Sequence, residues 1–136
     1  MYKNILVPID PGHKARHEQA FKMATALSDE TGAKITALTV VEPLPAYIGV
    51  AAVIPDLDSE IRENVTTALA EFVAGKDIET VILHGVPGTV IVDYAKENGV
   101  DCIVIASHKP GFGDFLLGST AARVVRHAPC GVHVLR

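Results

Sequence analysis

The chain has 136 residues, enough to bury most of its apolar surface as one domain without disulfide or metal staples. It is 49% hydrophobic, lacks tryptophan and carries a net charge of −4, which suits an aliphatic α/β core. Its lysines and arginines are scattered and leave no basic face for nucleic acid.

Cys102 and Cys130 lie inside apolar runs and form no CxxC pair. They read as reduced, buried thiols of a cytoplasmic protein, with a redox pair as the lesser alternative. Met1-Tyr-Lys-Asn leads straight into strand-like residues, too short a stretch for a signal peptide. No apolar run reaches membrane-spanning length, so the expectation is a soluble, cytoplasmic protein with no membrane partner.

In chain order, Ile5-Leu6-Val7-Pro8-Ile9-Asp10 does not alternate and reads as a strand buried on both faces. Pro8 cannot donate to a ladder, which places it at the strand's end. Asp10 then stands at the carboxyl edge, where open α/β sheets hold ligands. Equally, its carboxylate suits a local cap for the Pro11-Gly12 turn. A helix follows from about Lys14 to Glu30, with Ala20, Met23, Ala24 and Leu27 as its buried stripe and Gly32 as its left-handed cap. His13 and His17 are spaced to share a metal on one helix face, but with no third ligand nearby they read as a wet helix start.

Lys34 to Val41 is rich in β-branched residues and forms the second strand, ending beside Asp10. The apolar, proline-bearing connection 42–55 suits a lid or an interface as well as a loop folded over its own core. Asp58 or a neighbour caps the next helix, which buries Ile61, Val65, Ala68, Leu69 and Phe72 and stops at Gly75. Thr80 to His84 is the third strand, with His84 structural. Pro87 opens a helix with Val90, Ile91, Tyr94 and Ala95 inward, and Asn98-Gly99 closes it.

The most informative stretch runs from Cys102 to Ala128. An apolar run to Ala106 reads as a buried strand, and a loop from Ser107 to Leu117 carries Lys109, Gly111 and Gly113. Gly118-Ser119-Thr120 opens a helix ending in Arg126 and His127 before Pro129. Free N–H groups and the positive end of a helix dipole after a glycine loop make a phosphate site. A plain βα turn is the competing reading. Two stricter motifs fail here: Ser119 stands where a Walker A lysine must be, and the third glycine of a dinucleotide fingerprint is missing after Gly113. Gly131 to Leu135 forms the last strand. Five strands alternating with four helices give a parallel sheet with right-handed crossovers, while spacing leaves the strand order open.

Taken jointly, ILVPID, LTVVEP, HGVPGTVIVDYAKENGVDCIVIASH and LLGSTAARVVRHAPCGVHVLR resemble the universal stress protein family over essentially the whole chain. ASHKP, LLGS and RHA are most similar to its short, single-domain bacterial members of the F and G type. The resemblance implies an open five-stranded sheet of order 3-2-1-4-5 with helices on both faces. It also implies a homodimer and ATP, with or without magnesium, at the carboxyl edge.

Carried over by position, Pro8, Ile9 and Asp10 border adenine and ribose, and the Val40 backbone pairs with the adenine edge. Ala106, Ser107, His108 and Lys109 enter the phosphate loop, while Gly118, Ser119 and Thr120 bind phosphate at the helix start. The family's ATP signature is Gly-x2-Gly-x9-Gly-(Ser/Thr). Here Ala106 and Lys109 replace its first two glycines, and the gap to Gly118 is one residue short. Lys109 can meet phosphate as a point charge, and Gly111 and Gly113 supply the displaced flexibility.

An edge strand at Gly131, Val132, His133, Val134 and Leu135 invites the pairing of two copies, with His133 near the seam. No triad, paired carboxylates or metal cluster points to efficient catalysis, so the expected role is a stress-response protein that binds nucleotide and contacts a protein partner. A slow ATPase or a self-phosphorylating protein, and a nucleotide-free dimeric module, are the alternatives.

Overall fold

Apolar runs without alternation become central strands because both of their faces must be covered. The computed structural model describes residues 1–43, 57–107 and 117–136. Strands β1 (Asn4–Pro8), β2 (Lys34–Val41), β3 (Ile78–His84), β4 (Cys102–Ala106) and β5 (Gly131–Leu135) form one parallel sheet in the order β3-β2-β1-β4-β5. Four helices connect them: α1 (Lys14–Thr31), α2 (Leu57–Phe72), α3 (Pro87–Glu97) and α4 (Ser119–His127). Beyond Pro43, the apolar 42–55 connection lies outside the described residues, as does the capping position of α2.

Side-chain parity along the strands divides the core in two. Ile5, Val7, Cys102 and Val104 face α1 and α2, packing with Ala20, Phe21, Leu69 and Phe72. Leu6, Ile103 and Ile105 face α3 and α4, packing with Ile91, Val92, Ala95 and Val124. Each fully buried aliphatic side chain contributes on the order of 2 kcal/mol. On the first face, the Phe21 and Phe72 rings sit 4.9 Å apart, and Lys76 Nζ lies over both at 5.5 and 5.6 Å.

Several helix details differ from the sequence expectation. The stripe of α1 runs through His17, Ala20, Phe21 and Ala24, so Met23 falls outside it and is 37% exposed. His17, expected in water, is only 6% exposed. α3 buries Ile91 and Ala95 as expected and Val92 with them, while Val90 and Tyr94 are half-buried. α2 buries Leu69 and Phe72, leaving Ile61, Val65 and Ala68 half-buried. Gly32 caps α1 at φ 73°, in the left-handed region, as expected.

Cys102 and Cys130 lie near one another in sequence register but on opposite faces of the sheet, since Cys130 packs with Val132 and Val134. Both thiols are free, each packed into a different half of the core. Burial pushes the Cys102 thiol up to about 11 and raises Cys130 as well, so both are weak nucleophiles.

Candidate functional site

From β1 the chain steps outward to β2 and β3, and from β4 it steps the other way to β5, so β1 and β4 are the neighbours where the strand order reverses. Open α/β sheets bind ligands at such a switch point. The ladder from β1 to β2 holds from Asn4 to Pro8, whereas β1 pairs with β4 only at Ile5 and Leu6. Pro8 explains the difference. The next N–H along the chain, that of Ile9, donates to Leu38 O on the β2 side at 2.8 Å. Backbone direction alternates, so position 8 faces β4, and proline has no hydrogen there to donate.

Above this split lies a cavity of about 490 Å³. Of the expected site residues, Pro8, Ile9, Asp10, Val40, Ala106 and Thr120 line it. Ile91, Ile105, Leu38 and Val65 give it an apolar wall. Val40 is placed by the same alternation. Leu38 directs its backbone toward β1, and Val41 directs its own toward β3, where Val41 O accepts from Gly85 N–H at 3.0 Å. The N–H and C=O of Val40 therefore face the β1 side, two residues beyond the last β1–β2 pair. They open into the cavity. Thr39 Oγ1 donates to Ile9 O at 3.1 Å and locks the two strand ends together beneath them.

Asp10 carries out the local capping. Its Oδ1 accepts from Gly12 N–H at 2.9 Å, and its Oδ2 lies 2.8 Å from His13 Nδ1. Burial pushes this carboxyl up, but the bonds from His13 and Gly12 and the His13 charge outweigh it and hold the pKa below the usual value. Both oxygens keep lone pairs, so the cap leaves a cavity-lining carboxylate able to accept a hydroxyl.

His17 also serves this strand end. Its Nε2 accepts the Asp10 N–H at 3.0 Å, which puts the imidazole proton on Nδ1, a buried atom without a partner among the described residues. Burial first, with Arg16 and His13 nearby, lowers its pKa to about 4 against the pull of Asp10. His13 and His17 thus both attend to Asp10. No group of three or more potential metal-ligating side chains occurs among the described residues.

On the opposite wall, Ser107 ends β4 buried. Its N–H donates to Leu135 O at 2.7 Å, and its Oγ accepts Gly118 N–H at 3.1 Å. The hydroxyl therefore ties both ends of the intervening loop. His108, Lys109, Gly111 and Gly113 lie within that loop, outside the described residues. Gly118 is the N-cap of α4, and Ala122 N–H returns to Gly118 O at 2.9 Å. The N–H groups of Ser119, Thr120 and Ala121 have no acceptor within the helix. Gly118 and Ser119 border the cavity through Thr120 rather than line it themselves. α4 is held close to α3 because Gly88 carries no side chain; a Cβ there would meet Arg123 Cδ at 2.8 Å.

Sequence reading missed Arg16, His17, Pro87 and Ile91 as cavity residues. A positional signal was available for Arg16 and His17, which lie in the first turn of the helix after β1, a strand at the switch point; α3 follows the edge strand β3, and Pro87 and Ile91 had none.

These features define a doubly wound α/β protein with a ligand-sized cleft at the carboxyl edge of its sheet. The universal stress protein family profile matches residues 1–136, and the chain belongs to that family. It is 31% identical over 146 residues to a universal stress protein of Methanocaldococcus jannaschii, covering 100% of this chain and 83% of that protein. Among solved structures it is similar to UspA from Lactobacillus plantarum, at 33% identity and TM-score 0.74 over 99% of this chain and 98% of that one. It shares its fold, at 23% identity and TM-score 0.72, with an Archaeoglobus fulgidus universal stress protein solved in complex with dAMP, over 99% and 98% of the two chains. The strand order that the family resemblance implied is the order found.

Proposed function

We propose that this protein binds an adenine nucleotide, ATP, in the cleft between Val40 and the start of α4. The Val40 backbone, without a partner among the described residues and open above an apolar cavity, carries this reading: a donor and an acceptor side by side match the edge of adenine, and the aliphatic wall takes its ring faces. Asp10 accepts a ribose hydroxyl. The three N–H groups of α4 that have no acceptor within the helix, with its dipole, take phosphate. His108, Lys109, Gly111 and Gly113 complete the phosphate loop, with magnesium as the companion ion of ATP. The fold neighbour that carries dAMP supports adenine nucleotides as the class to test.

The role is binding and partner contact during stress, in the cytoplasm, by a homodimer joined through β5. Efficient catalysis is not part of it, because the nearest titratable groups are committed. The Asp10 carboxylate caps its turn, and the His17 Nε2 lone pair holds Asp10 N–H. ATP turnover is expected well below ~1 per second, the low end for ordinary enzymes. Calorimetry with ATP and magnesium tests the reading and should give a saturable heat. Absence of heat at millimolar ligand leaves a nucleotide-free interaction module, and turnover at or above ~1 per second overturns the binding role.

A further inference from the structure

A second cavity, of about 300 Å³, adjoins the first and shares Arg16 and Ala106 with it. Its polar lining comes from separate parts of the chain: Arg16 and Gln19 on α1, Ser107 at the end of β4, and Arg136 after β5. Neither ion pair among the described residues uses Arg16 or Arg136, so no described carboxylate neutralises them there. Ser107 Oγ already accepts from Gly118 N–H, and the described hydrogen bonds leave its own proton free to donate. The cavity thus offers two guanidinium-bearing residues, an amide and a hydroxyl donor, with no Asp or Glu side chain among the described residues that line it.

The larger cavity has the opposite balance. Asp10 and Glu42 line it, and Arg16 is its one arginine or lysine among the described residues. A ligand with its apolar end at Val40 therefore meets negative charge midway and positive charge where the cavities join. Such a gradient suits a neutral base and sugar followed by a chain of several negative groups. Each further phosphate adds negative charge to the part of the ligand that meets the arginines.

We propose that the second cavity is the subsite for the terminal phosphates of a nucleoside polyphosphate, with Arg16 at its mouth and Ser107 and Arg136 within it. This rests on the adenine-nucleotide reading and sharpens it to the triphosphate. Arg16 approaches from α1, across the sheet from α4. Phosphate charge is then met from two sides, and the departure from the family signature at Ala106 and Lys109 is offset by a cation outside that signature. Arginine suits the role because its planar fork makes paired, charge-assisted bonds to phosphate oxygens.

Calorimetry with adenosine, AMP and ATP on wild type, Arg16→Gln, Arg16→Lys and Arg136→Gln tests the subsite. Wild type should bind ATP more tightly than AMP. Arg16→Gln should weaken ATP by about tenfold or more, the worth of one charge-assisted pair, while adenosine stays within about twofold. Arg16→Lys should recover part of the loss, and Arg136→Gln should lower ATP with AMP little changed. Rising salt should shrink the preference for ATP in wild type. Adenosine affinity also reports that each variant is folded. Equal losses for adenosine and ATP in Arg16→Gln, or unchanged ATP binding, would sink the subsite alone. A wild type that binds neither ligand overturns the nucleotide reading and the subsite with it.

Discussion

The two walls of the cleft are built by different means. On the β1–β2 side, the ladder runs from Asn4 to Pro8, Ile9 N–H extends it to Leu38, and Thr39 ties off the end. On the β4–α4 side, β1 pairs at only two positions, and one buried hydroxyl, that of Ser107, joins the strand to the helix start. The first wall offers backbone groups whose direction is fixed by strand geometry. The second offers a helix end and side chains. Recognition through backbone tolerates sequence change, while recognition through loop and side chain follows it. The departures at Ala106 and Lys109 fall on the second wall, and nothing at Val40 or Ile9 depends on them.

The largest expected effect separates the walls. Gly118 has φ −59°, and nothing among the described residues lies within 4 Å of an added Cβ, so Gly118→Asp fits the backbone. Aspartate is also a good N-cap, and its carboxylate would occupy the N–H groups that phosphate needs. ATP affinity should fall by about a hundredfold or more while adenosine binding persists, the order of loss for a helix-end anion site facing a fixed like charge. Gly118→Ala should keep most of the ATP affinity. Calorimetry on the pair checks this, and parallel loss of adenosine would show that the walls are not independent.

Next comes the seam beyond the second wall. β5 is an edge strand, and Val132 and Val134 are half-buried on the α3–α4 side. Val134→Pro removes a donor from that edge, and Val132→Lys places charge on it. Either should shift a wild-type dimer toward monomer in sedimentation at micromolar concentration. A monomeric wild type ends the proposal of pairing through this strand.

The smallest effect belongs to the first wall and is set by His17. Its pKa is 6.5 when unfolded and about 4 when folded, so the unfolded state takes up the proton first as pH falls. The stabilisation is complete above 6.5 and is lost progressively as pH falls toward 4. Stability at pH 5 should be lower than at pH 8 by about 2 kcal/mol, because the folded imidazole must stay neutral to accept Asp10 N–H. His17→Gln keeps an acceptor and removes the titration, so urea unfolding across this range should show a flatter profile. An unchanged slope would mean that another group titrates.

Strand positions were legible because central parallel strands need unbroken apolar runs, and Lys34–Val41 and Cys102–Ala106 were read to the residue. Their order came from family resemblance, since spacing does not encode which strands are neighbours. The stripe of α1 was set partly wrong. Periodicity counts apolar residues, so His17 seemed wet and Met23 seemed buried. His17 goes inside because the Asp10 N–H meets it there, a partner that only the folded strand end supplies. Asp10 was readable as cap or ligand residue; it performs the first and keeps lone pairs for the second. Arg16 carried no periodic signal at all, and only the meeting of two cavities at its side chain singles it out.

Pro8 has a consequence for the energetics of association. Since its nitrogen carries no hydrogen, β1 offers β4 no donor at that level, and the pairing of the two strands stops at Leu6. No non-glycine residue among the described ones has a positive φ, so the gap is held open without stored backbone strain. The receptor is therefore preorganised at its floor. The ordering cost falls mainly on the guest and on side chains such as Arg16, and little of the interaction energy is diverted into prying the sheet apart.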